Sequence, residues 1–220
     1  MFNIITKLIH ILGKILFPYR CVGCKKIDTL LCPTCDQQLV TKNSELENII
    51  TALSYSDKKV RQLIWLMKYK GSREATAILA GKIENEIVQY LSDWPDFYLK
   101  PETILLVPIP MTKKHRQKRG WNQSTLLAEA IAKLSPTSFQ VCEALIKIKE
   151  TKNQVHCRNK SERISNLQNA FALNPKVDIK GKILIVIDDV VTTSTTIKEA
   201  MRTLKTKAPR RLLGAGVAHG

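Results

Sequence analysis

Residues 183–187, ILIVI, are five consecutive aliphatic side chains with no polar face to offer water. A half-solvated strand alternates apolar and polar residues, so a run that is apolar on both faces must be covered on both sides. That is the position of a central strand in a mostly parallel sheet flanked by helices. The rest of the chain fits this plan. Helical spacing over Asp57–Tyr69, Glu74–Tyr90, Asn122–Leu134 and Thr195–Lys205 alternates with apolar runs at Thr103–Pro110, Glu143–Ile148 and Leu212–Ala218. The breaker Gly71-Ser72 separates the first two helices. An α/β fold is expected, with ligands received at the strand ends after Val107 and Ile187.

Directly after the apolar run comes Asp188-Asp189-Val190-Val191, then Thr192, Thr193, Ser194, Thr195 and Thr196. Adjacent carboxylates suit the vicinal hydroxyls of a sugar, or a cation beside them. Hydroxyls and free N–H groups at a helix N-terminus suit a phosphate. Together they describe a site for a ribose bearing a 5-phosphate. A simple helix cap would need only one of these hydroxyls, and paired aspartates after a buried strand would then be costly. A P-loop is excluded because GxxxxGK[ST] does not occur, and Gly214-x-Gly216 is too sparse for a dinucleotide fingerprint.

Four of the six cysteines form two CxxC pairs, Cys21/Cys24 and Cys32/Cys35. Such spacing lets four thiolates surround Zn²⁺ tetrahedrally, and a redox role would need only one pair. With all four positions filled by protein, the zinc is expected to be structural. Gly23 is read as allowing a tight turn, and Arg20, Lys25 and Lys26 offset the thiolate charge. Cys142 and Cys157 are left as ordinary thiols. Clustered cysteines without a secretion signal point to a reducing, cytoplasmic compartment. Thr41–Glu47 is polar and reads as a linker, dividing a module at 1–45 from a main domain at 46–220.

Met1–Phe17 is apolar, but Lys7, His10 and Lys14 interrupt it, so it lacks the run of about 18 uncharged residues that a span requires. Ile4, Ile5, Leu8, Leu12, Ile15 and Leu16 recur at helical spacing. An amphipathic helix packed on the body of the protein is expected, with no membrane span.

Thirty-five Lys and Arg against nineteen Asp and Glu give a formal charge of +16, which implies a polyanionic partner. Lys113, Lys114, His115, Arg116, Lys118 and Arg119 fall within seven residues, followed by Trp121. The cations can track a phosphate backbone while Trp121 and His115 stack on unpaired bases. The alternative is a solvated basic segment whose Trp121 packs inward.

The segment IVIDDVVTTSTT resembles the phosphoribosyl-diphosphate loop of type I phosphoribosyltransferases. VPIPMTKKHRQKRGWNQSTLLAEAIA at 107–132, KETKNQVHCRNKSERISNLQNAF at 149–171 and the cysteine motif narrow the resemblance to the ComF family, competence-associated phosphoribosyltransferase-like proteins. The resemblance implies a type I phosphoribosyltransferase-like sheet with a small N-terminal zinc-binding module. It implies that Asp188 and Asp189 hold the ribose hydroxyls and magnesium, and that Thr192–Thr196 cradle the 5-phosphate. Lys70-Gly71-Ser72 would receive the pyrophosphate, approached by Arg119 and Gly120.

Two activities follow from the resemblance. One is the handling of single-stranded DNA in natural transformation, with a DNA-uptake helicase as partner. The other is displacement of pyrophosphate at the anomeric carbon, with Asp188, Asp189 and Lys70 as the catalytic groups and the 149–163 loop, bearing Lys152, Arg158 and Lys160, closing over the site. No residue identifies an acceptor, so whether the chain is an enzyme stays open. Ser194 stands where the family usually has Gly, and at φ > 0 it would be strained by about 1 kcal/mol.

Overall fold

The computed structural model describes residues 19–42, 46–94, 102–149 and 168–220. The segment Met1–Phe17, Cys157 and the loop carrying Lys152, Arg158 and Lys160 lie outside the described residues.

The main strands are β1 (Ile49–Ser54), β2 (Ile104–Pro108), β3 (Phe139–Val141), β6 (Ile183–Val191) and β7 (Arg211–His219). They form one sheet in the order β1-β7-β6-β2-β3, with every pairing parallel. The run that lacked a polar face is thus the middle strand. Its residues Ile183–Ile187 are buried throughout, as strand geometry demands when both faces are covered. A separate antiparallel ribbon joins β4 (Leu145–Lys147) to β5 (Phe171–Leu173).

Six helices complete the described chain: α1 (Pro33–Gln37), α2 (Lys58–Lys70), α3 (Arg73–Ser92), α4 (Lys113–Arg119), α5 (Gln123–Leu134) and α6 (Thr195–Lys205). On one face of the sheet, Ile185 and Ile187 share a core with Leu63 and Ile64 of α2, Ile83 of α3 and Leu127 of α5. On the other, Leu184 and Val186 meet Ile197, Ala200 and Leu204 of α6 and Phe171 of the ribbon. Each fully buried side chain of this size contributes about 2 kcal/mol.

The corner at Gly71-Ser72 is made by backbone chemistry. Gly71, at φ 58°, ends α2 in the left-handed region where a Cβ would be strained. Ser72 then caps α3 by accepting from the Ala75 N–H.

The structure departs from the sequence reading in several places, among them the strands β3 and β5, which no expected run covered. β6 does not stop at Ile187 but pairs with β7 as far as Val191, so both aspartates sit on the strand rather than in a loop. β1 carried no distinct strand signal, yet each of its positions is buried. Its outer edge is covered by residues 40–42, which run into the expected linker at Thr41: Ser54 N–H donates to Val40 O (2.8 Å) and Lys42 N–H to Ala52 O (3.1 Å). An uncovered edge would leave these groups without partners, which favours recruiting the nearby chain. Finally, the basic segment is the helix α4, capped by Thr112 and ended by Gly120 at φ 90°.

Candidate functional site

At the carboxyl end of β6, Asp188 Oδ1 accepts from Ser124 Oγ (3.2 Å) and from the Asp189 N–H (2.9 Å). Asp189, only 5% exposed, takes the Val190 N–H on Oδ1 (2.9 Å) and the Lys68 ammonium on Oδ2 (2.6 Å). Ser124 is fully buried in the first turn of α5, where the Asn122 cap holds the helix start. Asn122 also donates to Ile109 O (2.9 Å), tying α5 to the end of β2.

Burial pushes the Asp188 carboxyl up to about 6, against the pull of Lys68, the Ser124 hydroxyl and Lys147. Burial pushes Lys68 down to about 8; attraction from Asp188 resists this and Arg119 adds to it. Lys68 therefore serves both carboxylates, touching Asp189 and sensing Asp188. No motif in the sequence singles out Lys68. Its position one turn after the core residue Ile64, beside Met67, was the available signal, since positions i and i+4 share a helix face.

From Val191 the chain turns through Thr192, Thr193 and Ser194 into α6. Ser194 is buried with φ 55° and ψ 1°, so the turn does require the left-handed conformation usually left to Gly. Its hydroxyl donates to Thr193 O (2.6 Å), and the hydroxyls of Thr193 and Thr195 lie 2.9 Å apart. No side-chain cap bond from Ser194 closes α6, whereas Asp57, Ser72, Thr112 and Asn122 cap α2 to α5. The first N–H groups of α6 thus face the turn, at the positive end of the helix dipole. Gly214 of β7 sets where α6 starts. A Cβ there would collide with Ile197 Cγ2, so Gly lets the first turn of α6 pack this close.

A second cluster forms around the Gly71 corner. Trp121 Nε1 donates to Met67 O (3.2 Å), and a Cβ on Gly71 would lie 3.1 Å from the Trp121 ring. Arg119 bonds Gln123 Oε1 (2.6 Å) and places its guanidinium 5.1 Å from the Tyr69 ring centroid. Lys70 is exposed, with Nζ 5.7 Å from the Trp65 ring. His115 Nδ1 lies 2.9 Å from Thr112 Oγ1, while Lys114, Arg116 and Lys118 point to solvent and Lys113 opens the helix.

The sulfurs of Cys21, Cys24, Cys32 and Cys35 all lie within 4.8 Å of one another, with Cys24 and Cys32 at 3.6 Å. Tetrahedral Zn–S bonds of about 2.3 Å place sulfurs about 3.8 Å apart, so the four can hold a metal such as zinc. Burial alone would raise the Cys21 thiol, but N–H groups of Cys32, Cys24 and Gly23 bring it down to about 6. Gly23 is needed for space rather than for its turn: a Cβ would lie 2.5 Å from Cys35 Sγ. The left-handed residues are Lys25 and Asp28 instead. The module docks on the helices through Lys82–Asp36 (2.8 Å) and Leu30 N–H to Glu74 (3.3 Å), while Val22, Leu30 and Leu39 join the main core.

A parallel sheet whose middle strand ends in paired carboxylates, followed by a hydroxyl-rich turn into a helix, defines a phosphoribosyltransferase-like protein. The phosphoribosyl transferase domain profile matches residues 124–218, which span α5 to β7. The chain is 24% identical over 199 residues to DNA utilization protein YhgH of Escherichia coli, covering 84% of this chain and 82% of that one. It is 27% identical over 206 residues to Competence protein ComFC of Bacillus subtilis, covering 85% and 78%. Together with the phosphoribosyl transferase domain profile, these relatives support a ComF-family assignment. Among solved structures, a hypoxanthine phosphoribosyltransferase from Trypanosoma cruzi aligns at 11% identity over 66% of this chain and 67% of that one, with a TM-score of 0.39. No helix among the described residues is long and apolar enough to cross a membrane.

Proposed function

We propose that this chain binds phosphoribosyl diphosphate with magnesium at the end of β6 and acts on single-stranded DNA during its uptake. The observation that carries the ligand assignment is the left-handed turn at Ser194, which leaves α6 without a side-chain cap beside Asp188 and Asp189. A 5-phosphate would complete that helix start, accepting from the N–H groups of residues 195–197 and from the hydroxyls of Thr192, Thr193, Thr195 and Thr196. The carboxylates would take the ribose hydroxyls. Lys70, Gly71 and Arg119 border the place for the diphosphate.

Magnesium fits the carboxylate pair. Asp189 Oδ2 is buried and has no aligned hydrogen-bond donor, only the Lys68 ammonium, and oxygen ligands of this kind suit a hard divalent cation. When bound, the ion would neutralise diphosphate charge. Zinc in the four-cysteine site would be structural, because no ligand position is left for substrate. The DNA reading rests on the exposed cations of α4, on the +16 charge, and on relatives named for DNA utilization and competence.

The test is calorimetric titration of the whole chain with phosphoribosyl diphosphate, with and without magnesium. Saturable binding, abolished by Asp188→Asn with Asp189→Asn, is expected; no heat at millimolar ligand overturns the ligand assignment. Incubation with nucleobases, monitored for pyrophosphate, separates binding from transfer. Turnover would make the chain an active phosphoribosyltransferase.

A further inference from the structure

Two large aromatic rings stand on the surface of α2 one turn apart. Trp65 is 47% exposed and Tyr69 55%, with ring centroids 5.9 Å apart and planes at 42°. The buried face of this helix is already formed by Val60, Leu63, Ile64 and Met67, so the pair projects away from the core. Leaving this much aromatic surface wet forgoes stabilisation that burial would supply. Cations attend both rings: Lys70 Nζ lies 5.7 Å from the Trp65 centroid and the Arg119 guanidinium 5.1 Å from that of Tyr69. Arg119 is also the last residue of α4, so the aromatic pair continues the basic surface of that helix.

The side chains that sequence alone offered for base stacking are engaged elsewhere. Trp121 is bonded to Met67 O, and His115 is held by Thr112. Among the described residues, Trp65 and Tyr69 are the exposed rings beside the basic helix.

We infer that Trp65 and Tyr69 form a stacking platform for unpaired bases of single-stranded DNA whose phosphates run along α4, with Arg119 joining platform to phosphate track. The inference rests on the DNA reading above and assigns it a surface. Every base has a π-face, so recognition would tolerate any sequence. Paired bases cannot leave their stack without cost, so the platform favours single strands over duplex. The flanking cations argue for this occupant over an apolar protein segment, because a phosphate accompanies each base and answers each cation.

The experiment measures binding of the whole chain to a labelled mixed-sequence oligonucleotide by fluorescence anisotropy at several salt concentrations. Trp65→Ala and Tyr69→Ala should each weaken binding about tenfold while leaving the salt slope unchanged, because stacking releases no counterions. An abasic oligonucleotide of equal length should bind wild-type protein at least about tenfold more weakly than the normal strand does. This second arm needs no variant and stands even if a substitution disturbs folding. Equal wild-type affinity for abasic and normal strands overturns the platform, as does a folded double variant that binds like wild type. If wild-type protein binds neither strand, the DNA reading itself fails.

Discussion

Lys68 Nζ lies 2.6 Å from Asp189 Oδ2, joining the last turn of α2 to the end of β6. The next residue, Tyr69, faces solvent, and Lys70 follows at the Gly71 corner. One helical turn therefore touches the carboxylate pair, the aromatic surface and the proposed diphosphate loop. A ligand that attracts Asp189 competes with Lys68 for the same oxygen.

Lys68→Met removes the cation and leaves Asp189 buried without a counter-charge. Breaking a buried pair costs about 3–5 kcal/mol, and the partial exposure of Lys68 lowers the expected loss to about 2 kcal/mol. Magnesium should restore more stability to the variant than it adds to wild type, because the ion can take the vacated place. Denaturant unfolding with and without 10 mM magnesium checks both statements; an unchanged midpoint in Lys68→Met sinks the first.

The two shifted groups predict how stability depends on pH in ligand-free protein. Folding raises Asp188 from 3.8 to about 6, so the native state binds the proton more tightly and stability falls as pH rises between these values. Folding lowers Lys68 from 10.5 to about 8, so the unfolded state binds more protons and stability rises from pH 8 towards 10.5. The two trends have opposite signs. Asp188→Asn should flatten the first window and Lys68→Met the second, each read as a difference from wild type across thermal melts.

Ser194→Gly relieves a left-handed Ser, and the gain of about 1 kcal/mol is partly offset by the greater unfolded-state freedom of Gly. The expected net change is small and stabilising, with affinity for phosphoribosyl diphosphate unchanged or tighter. Weaker binding in the Gly variant would mean that the Ser194 hydroxyl itself contacts the ligand.

The cysteine site should hold one zinc per chain. Cys35→Ser should lose it, and Gly23→Ala should lower occupancy by driving a Cβ into the Cys35 sulfur. Because Val22, Leu30 and Leu39 belong to the main core, metal loss should lower the melting temperature of the whole chain rather than free a separate unit. Elemental analysis and melting of the two variants test this; a Gly23→Ala protein with full zinc would refute the steric argument.

Much of the architecture was legible because it depends on short-range patterns. A run without a polar face had to lie mid-sheet, Gly71-Ser72 marked a helix boundary, and paired CxxC turns brought four sulfurs together. The carboxylate pair and the hydroxyl-rich turn were likewise adjacent in the chain.

Only the tertiary structure decided what reaches that pair. Ser124 meets Asp188 across 64 residues of sequence, and Lys68 reaches Asp189 because parallel strand order sets α2 and α5 above the end of β6. No periodicity encodes such a meeting, since it depends on crossover connections rather than on neighbours along the chain. The same holds for the aromatic residues. Composition gave three Trp, but packing against Gly71 engaged Trp121 and left Trp65 in solvent. Sequence determined which chemical groups the protein carries; the sheet's topology determined which of them face one another.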